Sequence, residues 1–266
     1  MQDILLEIVA NKRAEVEISK KEIPQRVLEK QIAISECRSL SAALKKSETG
    51  IIAEFKRKSP SRGWIHKDAN PLDTVPYYEE AGASAISVLT DKKYFGGSPA
   101  DIQTVGSKIS IPILRKDFII DNYQLFEAKA AGADAVLLIA SALKKNDCLE
   151  FIQTAHFLKM EVLLEIHQEN ELDYCTPECD VIGVNNRCLG SFVTDVKHSF
   201  ELARLLPENA VKISESGIKE AETVIHLKEA GYRGFLIGET FMKETMPAKK
   251  LKEFITTIAQ LSNYNK

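Results

Sequence analysis

The sequence has no run of about 20 apolar residues, the length needed to cross a bilayer, so no membrane-spanning helix is expected. It also has no surplus of basic charge. Its 35 Lys and Arg stand against 38 Asp and Glu, a formal net charge of −3, and both signs are mixed along the chain. That pattern excludes the concentrated basic face of a nucleic-acid binder. Cysteine is scarce and odd in number: Cys37, Cys148, Cys175, Cys179 and Cys188 sit in a chain too large to need stapling, which points to reduced thiols and a cytoplasmic setting. Cys175-Thr-Pro-Glu-Cys179 lacks zinc-knuckle spacing and no second pair follows, so these read as plain thiols. His66, His156, His167, His198 and His226 show no paired ligand spacing, and no metal is expected. The start of the chain, MQDILLEIVANKRAEVEISKKE, lacks the unbroken apolar segment of a signal peptide and reads instead as a helix with Ile4, Leu5, Ile8 and Val9 on it. There is no long heptad seam, so a monomer is expected, and no linker that would set one part of residues 1–266 apart as a second domain.

What is present is a composition 44% hydrophobic and 27% charged, that of a soluble globular protein, in 266 residues, a length that suits one large α/β barrel. Short β-branched runs alternate with amphipathic stretches. The candidate strands are 51–54, 85–89, 111–114, 135–139, 162–165, 181–184, 211–214 and 235–238. Between them, 121–131 (DNYQLFEAKAA) has an apolar face and Asp121 or Asn122 as a cap, and glycines at 82, 132 and 231 close helices just before the next strand. Near-continuous apolar strands imply a parallel sheet covered on both faces. The expected fold is therefore α/β, a TIM (β/α)₈ barrel with residues 1–46 as an N-terminal helical extension. An open doubly wound sheet is the alternative, but IIAEFKRKSPSRG after the first strand is not the G-x-G-x-x-G of a dinucleotide site.

In a barrel, chemistry collects at the C-terminal strand ends, and residues two apart on a strand face the same way. If Ile52 faces the interior, Glu54 and Lys56 point to the mouth. By the same parity Leu114 leads to Lys116 and Phe118, Leu163 to Glu165, Ile182 and Val184 to Asn186, and Ile213 to Glu215. A single glutamate at a strand end is usually just solvated or paired. Five strand ends with inward polar groups form a mixed acid and base cluster, the arrangement in which shifted pKa values serve proton transfer.

Ser214-Glu215-Ser216-Gly217-Ile218 and Ile237-Gly238-Glu239-Thr240 follow the seventh and eighth strands, where barrels commonly hold phosphate on backbone N–H groups; Ser59 in the first loop adds a hydroxyl. Either glycine alone would be explained by a tight turn. In the long loop 57–71, Arg62 and Trp64 read either as a cover over a substrate or as an anchored loop.

AEFKRKSPS (53–61), LRKDFI (114–119), LLEIH (163–167), GVNNRCLGSF (183–192), SESGI (214–218) and IGETFM (237–242), with the N-terminal ILLEIVANKRAEVEISK, resemble the indole-3-glycerol phosphate synthase family over nearly the whole chain. The resemblance implies ring closure of 1-(2-carboxyphenylamino)-1-deoxyribulose 5-phosphate to indole-3-glycerol phosphate, a small phosphorylated substrate, and no organic cofactor. It assigns Lys116 to carbonyl protonation, Lys56 to the substrate carboxylate and the later dehydration, and Glu165 to general acid–base work. Glu54 is its companion, Asn186 an orienting group and Glu215 a substrate contact. Ser59, Arg187, Ser216, Gly217, Gly238 and Glu239 are implied around the substrate and its phosphate, and Phe118 against the aromatic ring. The chain departs from the family pattern at Cys188 and Gly190 after the NNR triplet and at Thr240-Phe241 after Gly-Glu. Phosphoribosylanthranilate isomerase, a related barrel, uses a cysteine at the first strand end, where this chain has Glu54-Phe55-Lys56. A non-catalytic phosphate sensor would keep SESGI and IGE without the acid and base cluster.

Overall fold

The structure is a computed structural model that describes residues 4–32, 37–188 and 193–264. Eight parallel strands close into a barrel: β1 (Ile51–Phe55), β2 (Ala85–Leu89), β3 (Ile113–Lys116), β4 (Ala135–Ile139), β5 (Glu161–Ile166), β6 (Val181–Asn185), β7 (Val211–Glu215) and β8 (Gly234–Ile237). Each pairs with its neighbour in sequence, and β1 closes the ring against β8 with Ile52 beside Leu236. All the expected strands are present. The third begins two residues later than the sequence suggested: Pro112 has no N–H to give a ladder, and Arg115 and Lys116 extend the strand at its other end.

The strands sort their side chains by parity. Ile51, Ala53 and Phe55 of β1, with Ile182 and Val184 of β6, join the layer between barrel and helices. Ile52, Leu114, Leu163, Val211, Ile213 and Leu236 fill the barrel interior. β4 (AVLLI), fully buried, is thus apolar on both faces, as a parallel sheet wrapped by helices favours.

The helices follow from local signals. Asp121 caps the helix Asn122–Ala131 by accepting from the Tyr123 N–H, and Gly132, at φ 89°, ends it in the left-handed conformation. Among the described residues, three helices precede β1. The first, α1 (Ile4–Glu22), lays Leu5 and Ile8 over the C-terminal mouth of the barrel, in one cluster with Tyr94, Phe118 and Ile139. The second, α2 (Gln25–Gln31), packs on the Asn122–Ala131 helix. The third, α3 (Leu40–Lys46), closes the opposite end: Leu40 and Leu44 enter the interior cluster, and the Ser41 N–H donates to Glu161 at the start of β5.

Lys12 fixes α1 in place. Its buried ammonium lies 2.9 Å from Asp91, 2.9 Å from Asp117 and 3.1 Å from Glu15. Burial disfavours the charge, but the three carboxylates outweigh it and raise the pKa above the ordinary lysine value. Among the described residues, no helix is long and apolar enough to cross a membrane.

Candidate active site

The C-terminal strand ends of β1, β3, β5 and β7 deliver Glu54, Lys116, Glu165 and Glu215 to one place because each shares parity with an interior apolar residue two positions earlier. Lys56, just past β1, ion-pairs with Glu54 at 2.5 Å. Lys116 Nζ binds Glu215 Oε2 and lies 3.4 Å from Glu165 Oε2. The three carboxylates are buried, Glu215 completely.

Two glycines make this crowding possible. A Cβ at Gly183 would come within 2.4 Å of Glu215 Oε1, and one at Gly238 within 2.3 Å of Glu54 Oε1. Gly183 occupies an inward position of β6, and its missing side chain is the space that Glu215 fills.

Lys116 favours the ionised form of both carboxylates that it bridges, yet their other neighbours drive the two pKa values in opposite senses. For Glu165, burial pushes the pKa up, but Lys116, His167 and a hydrogen bond from Asn185 overcome it and hold the group below the ordinary glutamate value. For Glu215, burial dominates, and the neighbouring charges of Glu165 and Glu54 add to it against Lys116, so the pKa is pushed up to about 7. Its Oε1 makes no hydrogen bond among the described residues. Lys116 itself is raised: desolvation acts downward, but Glu215, Glu165 and Glu54 together act more strongly upward. Paired groups whose pKa values are driven apart are the usual arrangement for acid and base chemistry in one site.

The cluster forms the floor of a cavity of about 440 Å³. On the β2–β3 side its wall is apolar, made by Leu5 and Ile8 of α1 with Leu89, Phe95 and Phe118. Phe95 and Phe118 lie 6.1 Å apart, centroid to centroid, at a tilt of 37°. The opposite side, built from the loops after β6, β7 and β8 and the loop after β1, is polar and cationic, with Arg62, Arg187, Ser216, Gly217, Lys219 and Lys243. Arg187 donates to Ser61 Oγ at 3.0 Å and to Thr194 Oγ1 at 3.3 Å. Glu239 faces both Arg62 (3.3 Å) and Arg187 (3.8 Å). Ser216 and Gly217, which line the cavity, both have positive φ, 69° and 78°, a tight left-handed turn of the backbone after β7.

Glu54, Lys56, Lys116, Phe118, Glu165, Arg187, Ser216, Gly217, Gly238 and Glu239 all line this cavity, and Glu215 is bound to Lys116 beneath it. Asn186 does not follow the parity read from the sequence. Ile182 and Val184 face the helices, so Val181, Gly183 and Asn185 are the inward set, and Asn185 lines the cavity. Asn186 instead ties loops together behind the strands, donating to Ser214 Oγ and the Ser216 carbonyl and accepting from the Ser199 N–H and hydroxyl. The misleading signal was the apolar pair Ile182 and Val184, which on a strand buried on both faces says nothing about which face is inner. Ser59 is also displaced: it is buried with its hydroxyl 3.5 Å from that of Ser61, and Ser61 lines the cavity in its place.

Trp64 favours the anchored reading of the first loop. It sits in a short hairpin with Lys58 opposite it, stands against Gly96, and has the Lys58 and Lys67 ammonium groups over its ring at 5.5 and 5.8 Å. Gly190, one of the departures from the family pattern, lies outside the described residues.

Comparison with known proteins gives the family. The family model described as "Indole-3-glycerol phosphate synthase" matches residues 5–254. An indole-3-glycerol phosphate synthase of Bacteroides thetaiotaomicron is 55% identical over 259 residues, covering 97% of this chain and 100% of that one. Those of Chlorobium luteolum and Legionella pneumophila are 43% identical over 240 residues (88% and 91% covered) and 40% identical over 261 residues (96% and 100% covered). The chain belongs to the indole-3-glycerol phosphate synthase family.

Proposed function

We propose that this chain closes the indole ring of 1-(2-carboxyphenylamino)-1-deoxyribulose 5-phosphate, giving indole-3-glycerol phosphate, carbon dioxide and water. The observation that carries the reading is the order of chemistry across one cavity: an apolar aromatic wall, a lysine shared by two carboxylates in the middle, and a cationic loop cluster opposite. The substrate has the same order, an aromatic acid, a ribulose carbonyl and a phosphate.

The reaction starts when the ring carbon that bears the carboxylate attacks the ketone carbon. Negative charge develops on the ketone oxygen, and the Lys116 ammonium, kept charged by its carboxylates, gives that oxygen a proton. The C–C bond to the carboxylate then breaks, carbon dioxide leaves, and its electron pair restores the ring. The new hydroxyl departs as water with a proton from Lys56, pushed by the ring nitrogen. A carboxylate then takes the proton of the adjacent carbon, completing the indole. Glu165, whose pKa is held low, is the ionised base available for that step. Phe118 and Phe95 sandwich the anthranilate portion against Leu5 and Ile8. Arg187, Arg62 and the N–H groups of Ser216, Gly217, Gly238 and Glu239 receive the phosphate. Asn185, through its bond to Glu165, takes the orienting role that the sequence had given to Asn186.

The test is indole fluorescence after the substrate is added to purified protein without metal. Parent protein should turn over. Lys116→Ala and Glu165→Ala should each lose about 10²–10⁴ in kcat, the usual worth of a positioned proton donor or acceptor, while KM moves only a few-fold. Parent-like turnover in Lys116→Ala would remove the ammonium from the chemistry.

A further inference from the structure

His167 closes the LLEIH segment, and neither the reaction above nor the parity argument uses it. It is buried at the end of β5, and both ring nitrogens lack a straight hydrogen bond among the described residues. Buried polar nitrogens are nearly always satisfied, so this ring calls for an explanation. Its Nε2 lies 3.3 Å from Glu165 Oε1, the oxygen that Lys116 does not approach, and its Nδ1 lies 4.0 Å from Glu171 Oε2. Glu171 is already engaged, because its Oε2 accepts from the His167 N–H at 2.6 Å and from the Gln168 N–H at 3.3 Å. From the helix Lys197–Ala203, His198 places its Nε2 on the His167 carbonyl. The backbone of His167 is therefore held from two elements while its ring is left against Glu165.

We propose that His167 is a positioning residue for the reaction: with a proton on Nε2 it donates to Glu165 Oε1, adding to the Lys116 ammonium at Oε2 and the Asn185 amide, so that Glu165 is kept ionised and correctly turned for proton abstraction. The proposal rests on the synthase reading only in naming the step that Glu165 serves. Around Glu165 the charged and titratable groups are Lys116 from β3, Glu215 from β7 and His167 itself, with Asn185 from β6 as a neutral donor. His167 Nε2 lies 3.3 Å from Oε1, so its removal acts on the Glu165 carboxylate directly.

The experiment reads Glu165 itself as well as turnover. Carboxyl ¹³C NMR titration, with Glu165 identified by its loss in Glu165→Gln, is run on the parent, His167→Phe, His167→Asn and His167→Gln, beside pH profiles of kcat. In His167→Phe the Glu165 midpoint and the acid limb of kcat should both move up by about one pH unit, the scale of one lost donor to a carboxylate. His167→Asn, polar but too short to reach Oε1, should behave like His167→Phe and supplies the answer if the phenyl ring does not fold. His167→Gln, which keeps a reaching N–H, should restore most of the shift. A Glu165 midpoint unchanged in folded His167→Phe or His167→Asn overturns the proposal, as does a loss of kcat that is uniform across pH. If the NMR midpoint moves while no variant or parent makes product, the contact stands and the synthase reading fails instead.

Discussion

Glu165 and Glu215 are the same residue type at the ends of β5 and β7, and both touch Lys116, yet they titrate on opposite sides of the ordinary glutamate value. The difference lies in their second partners. Glu165 has a histidine and an amide beside it, whereas Glu215 has two further carboxylates near it and an oxygen against the bare backbone of Gly183. The consequence for stability follows by linkage. The folded pKa of Glu215, about 7, lies above the ordinary glutamate value of 4.5, so well below 4.5 the carboxyl is neutral in both states and costs nothing. As pH rises toward 7 the unfolded carboxyl ionises while the folded one keeps its proton, and stability falls. Glu215→Gln should therefore match the parent near pH 4.5 and lose less stability than the parent between pH 5 and pH 8, by a few kcal/mol at most. Urea unfolding midpoints at the two pH values check this, and identical pH slopes would show that Glu215 folds in its ionised form.

At the scale of elements, the N-terminal helix contributes more than cover. The sequence marks α1 as amphipathic and places it outside the strand pattern, but its attachment comes from Lys12 reaching Asp91 and Asp117, residues some 80 and 105 positions away by numbering. That attachment sets Leu5 and Ile8 over the apolar side of the cavity. The double substitution Leu5→Ala, Ile8→Ala removes apolar wall and leaves the lysines and glutamates in place. At roughly 0.8 kcal/mol per methylene lost from contact, KM should rise about tenfold or more while kcat stays within about threefold. Steady-state kinetics separate the two parameters, and a fall in kcat with unchanged KM would mean that α1 holds the acid and base groups rather than the aromatic ring. The strand elements tell a similar story. Their number and order were legible because each is a short, mostly apolar run between helix signals. The start of β3 was not, since Ile111-Pro112 is apolar but Pro112 cannot donate to a ladder.

For the whole molecule, the two ends of the barrel have different duties. The C-terminal mouth carries the cavity, and the other end is stoppered by α3, whose Leu44 is fully buried and would sit 3.1 Å from a Cβ placed on Gly234 of β8. Leu44 does not line the cavity. Leu44→Ala should cost about 2–5 kcal/mol of unfolding free energy, as large-to-small changes in a core do, with kcat/KM near the parent value at temperatures where the variant is folded. Denaturant melts beside kinetics would show it, and a parallel loss of kcat/KM in the folded variant would mean that the two ends are coupled. What the sequence by itself determined was the alternation of strands and helices, the charged residue types at the strand ends, and a set of motifs long enough to mark the family, because these depend on local order along the chain. Which of Asn185 and Asn186 faces the cavity, that Ser61 rather than Ser59 borders it, that α1 forms its apolar wall, and that the two glutamates on Lys116 are driven apart by their other neighbours were decided only in three dimensions. A strand buried on both faces is apolar in both parities, and a carboxylate takes its pKa from neighbours that the sequence places up to 100 or more residues away.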